Sequence, residues 1–321
     1  MNHKELKLRR LIAGEVKKVM QENARPRLSL RALLEDADPD MIDRKLFPTK
    51  LSQVDPALAK PLASQGLDDK QPKDDTAAGG NISKPAKSLK ASQTTMDFGK
   101  FVGMAIQMLG KIGSFSGGAG GDLGAIISSD GHIMDGHHRW AATLMVDPDA
   151  SVGGIFVDLP GEKLVGVLNV WTVAHGQSGK PSDTDMSSLT GEAVAAKFKE
   201  MAGKGGKFLP SPEEMLAAFQ KEGFESLDAA ADHVAANWDA TAGSRAIEGW
   251  MPPKVDMPAI EPNQLGQVVK DISSGLVDIN PPYSPEVEKA VGGGKQVQKA
   301  GYVPRGSVVV ERWQKLAGLI K

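Results

Sequence analysis

The sequence predicts an α+β protein: a small mixed-sheet domain at about 85–180, with a helical arm before it and a mostly helical region after it. Three observations lead there. Between 89 and 175, segments of helical periodicity alternate with short apolar runs bounded by turn residues, the pattern of a compact mixed unit. The stretch 56–84 is polar and broken by Gly and Pro, with little to bury, and reads as a flexible linker. Beyond 186 the apolar order is almost entirely helical.

In chain order, residues 1–55 are expected to form a basic helical arm. Residues 1–31 hold nine Lys or Arg against Glu5, Glu15 and Glu22. Leu8, Leu11, Ile12, Val16, Val19 and Met20 fall at helical spacing, so one apolar stripe runs along a basic helix that Pro26 ends. Such a helix suits docking on a protein surface or, alternatively, on an anionic one. After the linker, Phe98, Phe101, Val102, Ala105, Met108 and Leu109 predict a helix, with Thr94 and Asp97 at capping-box spacing. Gly113–Gly124 lacks the Gly-Lys-Ser/Thr ending of a phosphate loop and reads as a connection.

Ala125–Ser128 then reads as a strand, Ser129-Asp130-Gly131 as a tight turn and His132-Ile133-Met134 as a return strand. Asp135 is expected to cap a helix over HHRWAATLM, Val152–Val157 to form a strand, and Pro160 with Glu162 to start a helix that buries Leu164, Val165, Leu168 and Trp171. In the region 181–321, Thr190, Ser211 and Ser226 are expected caps, with further helices near 263–274, 285–291 and 307–319. These helices and the N-terminal one are the candidate protein-partner surfaces.

Composition excludes several function classes. With no cysteine in 321 residues, disulfides, thiolate zinc sites, iron–sulfur ligation and thiol nucleophiles are impossible. A formal charge of −2 is not that of a bulk nucleic-acid coat. No run approaches the roughly 20 apolar residues that span a bilayer. MNHKELKLRR does not lead into an apolar signal core, so a cytoplasmic location without membrane contact is expected.

The chemistry concentrates in DGHIMDGHHRWAA, residues 130–142. The free amides of a helix first turn, beside Gly136, His137, His138 and Arg139, make a site for a phosphate or carboxylate. Gly136 permits close approach, Arg139 supplies a bidentate fork, and the imidazoles hydrogen-bond or shuttle protons. Asp135 beside an anion is expected to cap the helix, to bind Mg²⁺, or to take a substrate proton. A transition-metal cluster of His132, His137 and His138 with Asp130 and Asp135 is disfavoured, because adjacent helical side chains diverge by about 100°. Trp140 reads as core packing.

The same segment resembles the signature of the ParB/sulfiredoxin superfamily: an acidic-Gly turn, a strand, then G-x-x-R-x-x-A opening a helix, here Gly136, Arg139 and Ala142. LKASQTT, residues 89–95, is similar to that superfamily's Leu-Lys-Pro-Ser/Thr-Gln element, with Ala91 where proline is common. The resemblance covers about 90 residues. It implies a nucleotide pocket whose phosphates meet Gly136, His137, His138 and Arg139, with Gln93 and Thr94 beside them. It also implies a nucleoside di- or triphosphate (ATP, ADP or CTP) with Mg²⁺ as ligand.

Departures from the pattern narrow the reading. Sulfiredoxins resemble Gly-Cys-His-Arg where this chain has His137, so sulfinic-acid reduction is excluded. No Glu-Asn-x-Gln-Arg-like element or helix-turn-helix follows Trp171, so centromere-style DNA clamping is not expected. The Gly-His-His-Arg form resembles the free-serine kinase branch and phage-encoded ParB-like proteins described as nucleases. Residues 121–190 carry Arg139, Lys163 and Lys180 against nine carboxylates, which favours a mononucleotide over DNA. The expected function is hydrolysis or transfer of a phosphoryl group, with Asp135 and His138 as candidate catalytic residues and Asp135 as candidate metal ligand. The alternatives are a non-catalytic virion protein and a metal-dependent nuclease.

Overall fold

The computed structural model describes residues 47–64, 76–111, 121–182, 184–205 and 209–281. Residues 1–46 of the expected N-terminal arm and the helices near 285–291 and 307–319 lie outside the described residues, as does most of the Gly113–Gly124 connection.

The described elements, in chain order, begin with α1 (Pro56–Ser64), β1 (Gly79–Pro85), β2 (Thr95–Met96), α2 (Phe98–Leu109) and β3 (Gly121–Ser128). Next come β4 (Ile133–Asp135), α3 (His137–Val146), β5 (Ser151–Val157), α4 (Gly161–Ala174) and β6 (Thr184–Asp185). The helices α5 (Gly191–Lys204), α6 (Pro212–Lys221), α7 (Leu227–Ala240) and α8 (Leu265–Ser273) follow. The fold is α+β. A four-stranded mixed sheet has the order β1-β5-β3-β4, and β2 and β6 form a separate antiparallel pair. Within the sheet β3 and β5 are parallel, while β1 and β4 run antiparallel to their neighbours.

Alternation along the strands puts an apolar layer on each face of the sheet. Ala125 and Ile127 of β3, Ile133 of β4 and Val152 of β5 enter a core with α2, α3 and α5 to α7. Ile126, Met134 and Val157 face the other way, into a core with α4 and α8. Trp140 is fully buried and donates from Nε1 to the Ala86 carbonyl at 2.9 Å, the packing role expected of it. In the central strand β5, a Cβ on Gly154 would stand 2.5 Å from the Ala125 carbonyl oxygen, so β3 and β5 approach there as only glycine allows.

Three expectations are corrected. The segment 56–84, read as a linker, contributes α1, which buries Ala59, Leu62 and Ala63 with Val170 of α4, and the edge strand β1, paired over its whole length with β5. A seven-residue run with a single large apolar residue, Ile82, carries no strand signal, since an edge strand is held by backbone bonds to its neighbour. Helix α2 is capped by Asp97, which accepts from Lys100 N, and Thr94 is not its cap. Helix α3 is capped by Gly136, not by Asp135, which ends β4. Thr190, Ser211 and Ser226 do cap α5, α6 and α7.

The C-terminal helices are not an appendage. Phe101 of α2 stacks on Trp238 of α7 at 5.4 Å, and Phe198, Phe219 and Val234 join the same core as Trp140. From α7 the chain returns across the 87–95 loop. Arg245, buried over the Trp238 ring at 3.7 Å, donates to the carbonyls of Trp238 and Met186 and starts that return.

Candidate anion site

The site is built where β4 ends and α3 begins. A bulge between Ile126 and Ile127 sets Asp135 opposite Ile126. The next residue, Gly136, takes φ +94, a left-handed conformation that costs L side chains roughly 1–2 kcal/mol. That sharp turn starts α3 without a side-chain cap. The amides of His137, His138 and Arg139 precede the first intrahelical bond, Trp140 N to Gly136 O, and have no partner among the described residues. They present the positive end of the helix to whatever lies before it.

The expected site residues fall into two groups. Asp135, Gly136, His138 and Arg139 line this end of the helix, all half-buried. His137 is buried and turned inward, where Nε2 lies 3.0 Å from Ser92 Oγ and accepts from Ser92 N at 3.3 Å. Burial, reinforced by the charges of His138, His132 and Lys254, pushes its pKa down to about 3. It is a neutral strut that ties the 89–95 segment to the helix start. Ser92 in turn donates to the Ile133 carbonyl at 2.6 Å. Gln93 is also buried, its Nε2 donating to the Thr95 carbonyl at 2.9 Å, while Thr94 is half-buried and held through its backbone by Pro252 and Met186.

His138 has a solvent-sealed Nε2 with no hydrogen-bond partner among the described residues. Burial and the nearby Lys100 and Lys254 charges push its pKa down to about 4, against an opposing pull from Asp97, so it is a neutral ring at physiological pH. The Asp135 carboxyl is held above its usual range by burial, which outweighs the Arg139 charge, the bond from Gly136 N and the Lys100 charge. A carboxyl so placed is suited to holding or accepting a proton.

Two cations, Lys100 and Lys254, escaped the sequence reading. Lys100 on the first turn of α2 and Lys180 after α4 both act on Lys254 in the C-terminal region, and Lys100 and Lys254 act on His138. Lys254 is held below the usual lysine range by burial and by the Lys100 and Lys180 charges, against the pull of Asp97. Among the described residues none of the three forms an ion pair. The acidic balance of 121–190 therefore does not describe the site, because Lys100 and Lys254 come from outside that window. No local count finds them, since the 3₁₀ turn Lys254–Asp256 reaches the site only through the tertiary fold.

The neighbouring carboxylates, Asp97 and Asp135, each accept from a backbone amide and sit among Lys100, Lys254 and Arg139. That donor set fits an anion and does not fit a divalent cation held by protein side chains. The three histidines considered as a metal cluster point to different partners, His132 to Asp130 and Glu248, and His137 to Ser92. No helix among the described residues is long and apolar enough to cross a membrane. No protein-family model, curated protein or solved structure matches this chain.

Proposed function

We propose that the chain binds the phosphates of a nucleoside di- or triphosphate at the start of α3 and hydrolyses or transfers a phosphoryl group. The observation that carries this reading is the coincidence, among the described residues, of three unpartnered helix amides with a guanidinium and two lysines, Lys100 and Lys254, that lack ion pairs. Phosphoryl transfer asks mainly for positioning and charge neutralisation, and this set supplies both. The amides and Arg139 hold phosphate oxygens, the neutral His138 ring donates or accepts one hydrogen bond, and Asp135 takes the proton of the attacking hydroxyl or water. The resemblance of Gly136-His137-His138-Arg139 and of LKASQTT to ParB/sulfiredoxin sequences points to the same ligand class.

The test is thermal unfolding with and without ATP, CTP and ADP, each with and without Mg²⁺. A ligand at 100 times its dissociation constant adds about 2.7 kcal/mol to unfolding. At least one nucleotide is expected to raise the melting temperature, and Arg139→Ala to abolish the rise. No rise with any nucleotide overturns the reading in favour of a non-catalytic protein. Plasmid nicking that requires a metal ion and is lost in His138→Ala replaces it with a nuclease.

A further inference from the structure

Lys254 does not belong to the α/β unit in which the sequence places the site. It ends a strap, residues 244–254, that lies across the 87–95 loop and is pinned along its length. The Ser244 carbonyl accepts from Ala91 N and the Pro252 carbonyl from Thr94 N, both at 2.9 Å, and Lys254 N donates to Thr95 Oγ1 at 3.0 Å. Midway, Glu248 lies 3.2 Å from His132 Nε2, accepts from Trp250 Nε1 at 2.9 Å and has Lys90 at 3.7 Å. These contacts fix the backbone at position 254 whatever its side chain does.

What that rigid delivery achieves is unfavourable in the free protein. It adds a half-buried ammonium to a place where Lys100 and Lys180 already repel it, with Asp97 as the facing carboxylate. Asp97 is itself committed to the Lys100 amide as the cap of α2. A single phosphate is matched by the α3 amides and Arg139 alone. Two further cations, Lys100 from α2 and Lys254 from the strap, suit a ligand that brings more negative charge. A chain of phosphates does.

We propose that Lys254, positioned by the strap, is a specificity-determining residue that selects ligands with two or more linked phosphates over a monophosphate. The inference rests on the anion-site reading and adds the length of the phosphate chain. It is tested by titration calorimetry of the full chain with ATP, ADP, AMP, inorganic phosphate and inorganic tripolyphosphate, in the wild type and in Lys254→Ala and Lys254→Arg. In the wild type, affinity is expected to rise with the number of phosphates. Lys254→Ala should weaken ATP and tripolyphosphate about tenfold and leave AMP within about twofold, and Lys254→Arg should restore most of the loss. Equal weakening of AMP and ATP, or no weakening of either, overturns the proposal. ATP binding that ignores Lys254 sinks this inference and leaves the nucleotide reading intact. Lys254-dependent binding of tripolyphosphate, with nothing gained from a nucleoside, does the reverse. No binding of any of these anions overturns both.

Discussion

The tripeptide Asp-Gly-His occurs twice within eight residues, at 130–132 and 135–137, and the two copies meet opposite fates. Both glycines adopt positive φ, +88 at Gly131 and +94 at Gly136. Around the first copy the carboxylate is taken and the imidazole stands between two carboxylates. Asp130 accepts from Ser128 Oγ at 2.6 Å and from Gly161 N at 2.9 Å, so its carboxylate occupies the N-terminus of α4. His132 is buried between Asp130 and Glu248, its Nδ1 3.0 Å from Asp130 Oδ1 though not aligned as a directed hydrogen bond. Around the second copy, Asp135 accepts from the cap residue Gly136, the amides that open α3 have no partner among the described residues, and cations gather beside the carboxylates. Motif identity is therefore no guide to a site; what separates the copies is which tertiary neighbours arrive.

The largest expected contrast is in pH dependence. His137 has a folded pKa of about 3 against 6.5 for a free histidine. Between those values the unfolded chain binds the extra proton, so stability is complete above about pH 6.5 and falls as pH drops through the window, by about 1.4 kcal/mol per pH unit per proton. His138, lowered to about 4, adds in the same direction. Asp130 behaves differently. Burial raises its carboxyl, but the bond from Ser128, the adjoining His132 ring and the bond from the Gly161 amide outweigh that and hold it below its usual range. Its contribution is present above about pH 4 and is lost only below that. Denaturant unfolding from pH 7 to 4 should show His137→Gln losing about one proton of slope and Asp130→Asn losing none in the upper half of the range. Equal slopes in His137→Gln and the wild type would mean that the imidazole is not held neutral.

A smaller effect separates the copies sterically. A Cβ on Gly161 would lie 2.9 Å from His132 Nδ1 and 3.0 Å from Cγ, and the ring is held by Glu248 and Trp250. Gly161→Ala should cost roughly 1–3 kcal/mol from overpacking, more than the few tenths to 1 kcal/mol alanine gains in chain entropy, and should leave anion affinity unchanged. Gly136→Ala meets Ala125 Cβ at 3.3 Å and a φ of +94, costs roughly 1–2 kcal/mol, and by shifting the start of α3 should weaken anion binding as well. The pair is read by thermal melts alongside phosphate titration. Loss of binding in Gly161→Ala would show that the two turns are mechanically coupled.

What the sequence disclosed follows the same division. The helices Phe98–Leu109 and Gly161–Ala174, the strand Ser151–Val157 and the caps at Thr190, Ser211 and Ser226 were legible because periodicity and capping are local signals. The order β1-β5-β3-β4 was not, because β1 offers only a backbone to its neighbour. The tight turn at Gly136 and the helix that opens at His137 could be read from residue types alone. That His137 faces Ser92, and that Lys100 and Lys254 act on His138, depends on segments 45, 38 and 116 residues away along the chain.

The smallest effect tests the second copy directly. A carboxyl whose folded pKa lies above its unfolded value contributes stability at low pH and loses it as pH rises through the folded pKa, so ionised Asp135 is a liability in the resting protein at neutral pH. Asp135→Asn keeps an oxygen for the Gly136 amide and removes the charge. At pH 7.5 it should stabilise the chain by under about 1 kcal/mol, within the range typical of relieved functional-site strain, while phosphoryl transfer is lost. The gain over wild type should vanish as pH falls below the folded pKa of Asp135, because both chains are then neutral there. The corresponding change in the first copy, Asp130→Asn, should destabilise at pH 7.5, since it removes a carboxylate that is bonded to Ser128 and to the start of α4. Thermal melts of the two variants at two pH values decide it: two changes of the same sign would mean that Asp135, like its twin, is held in place by the fold, and would remove it as the proton acceptor.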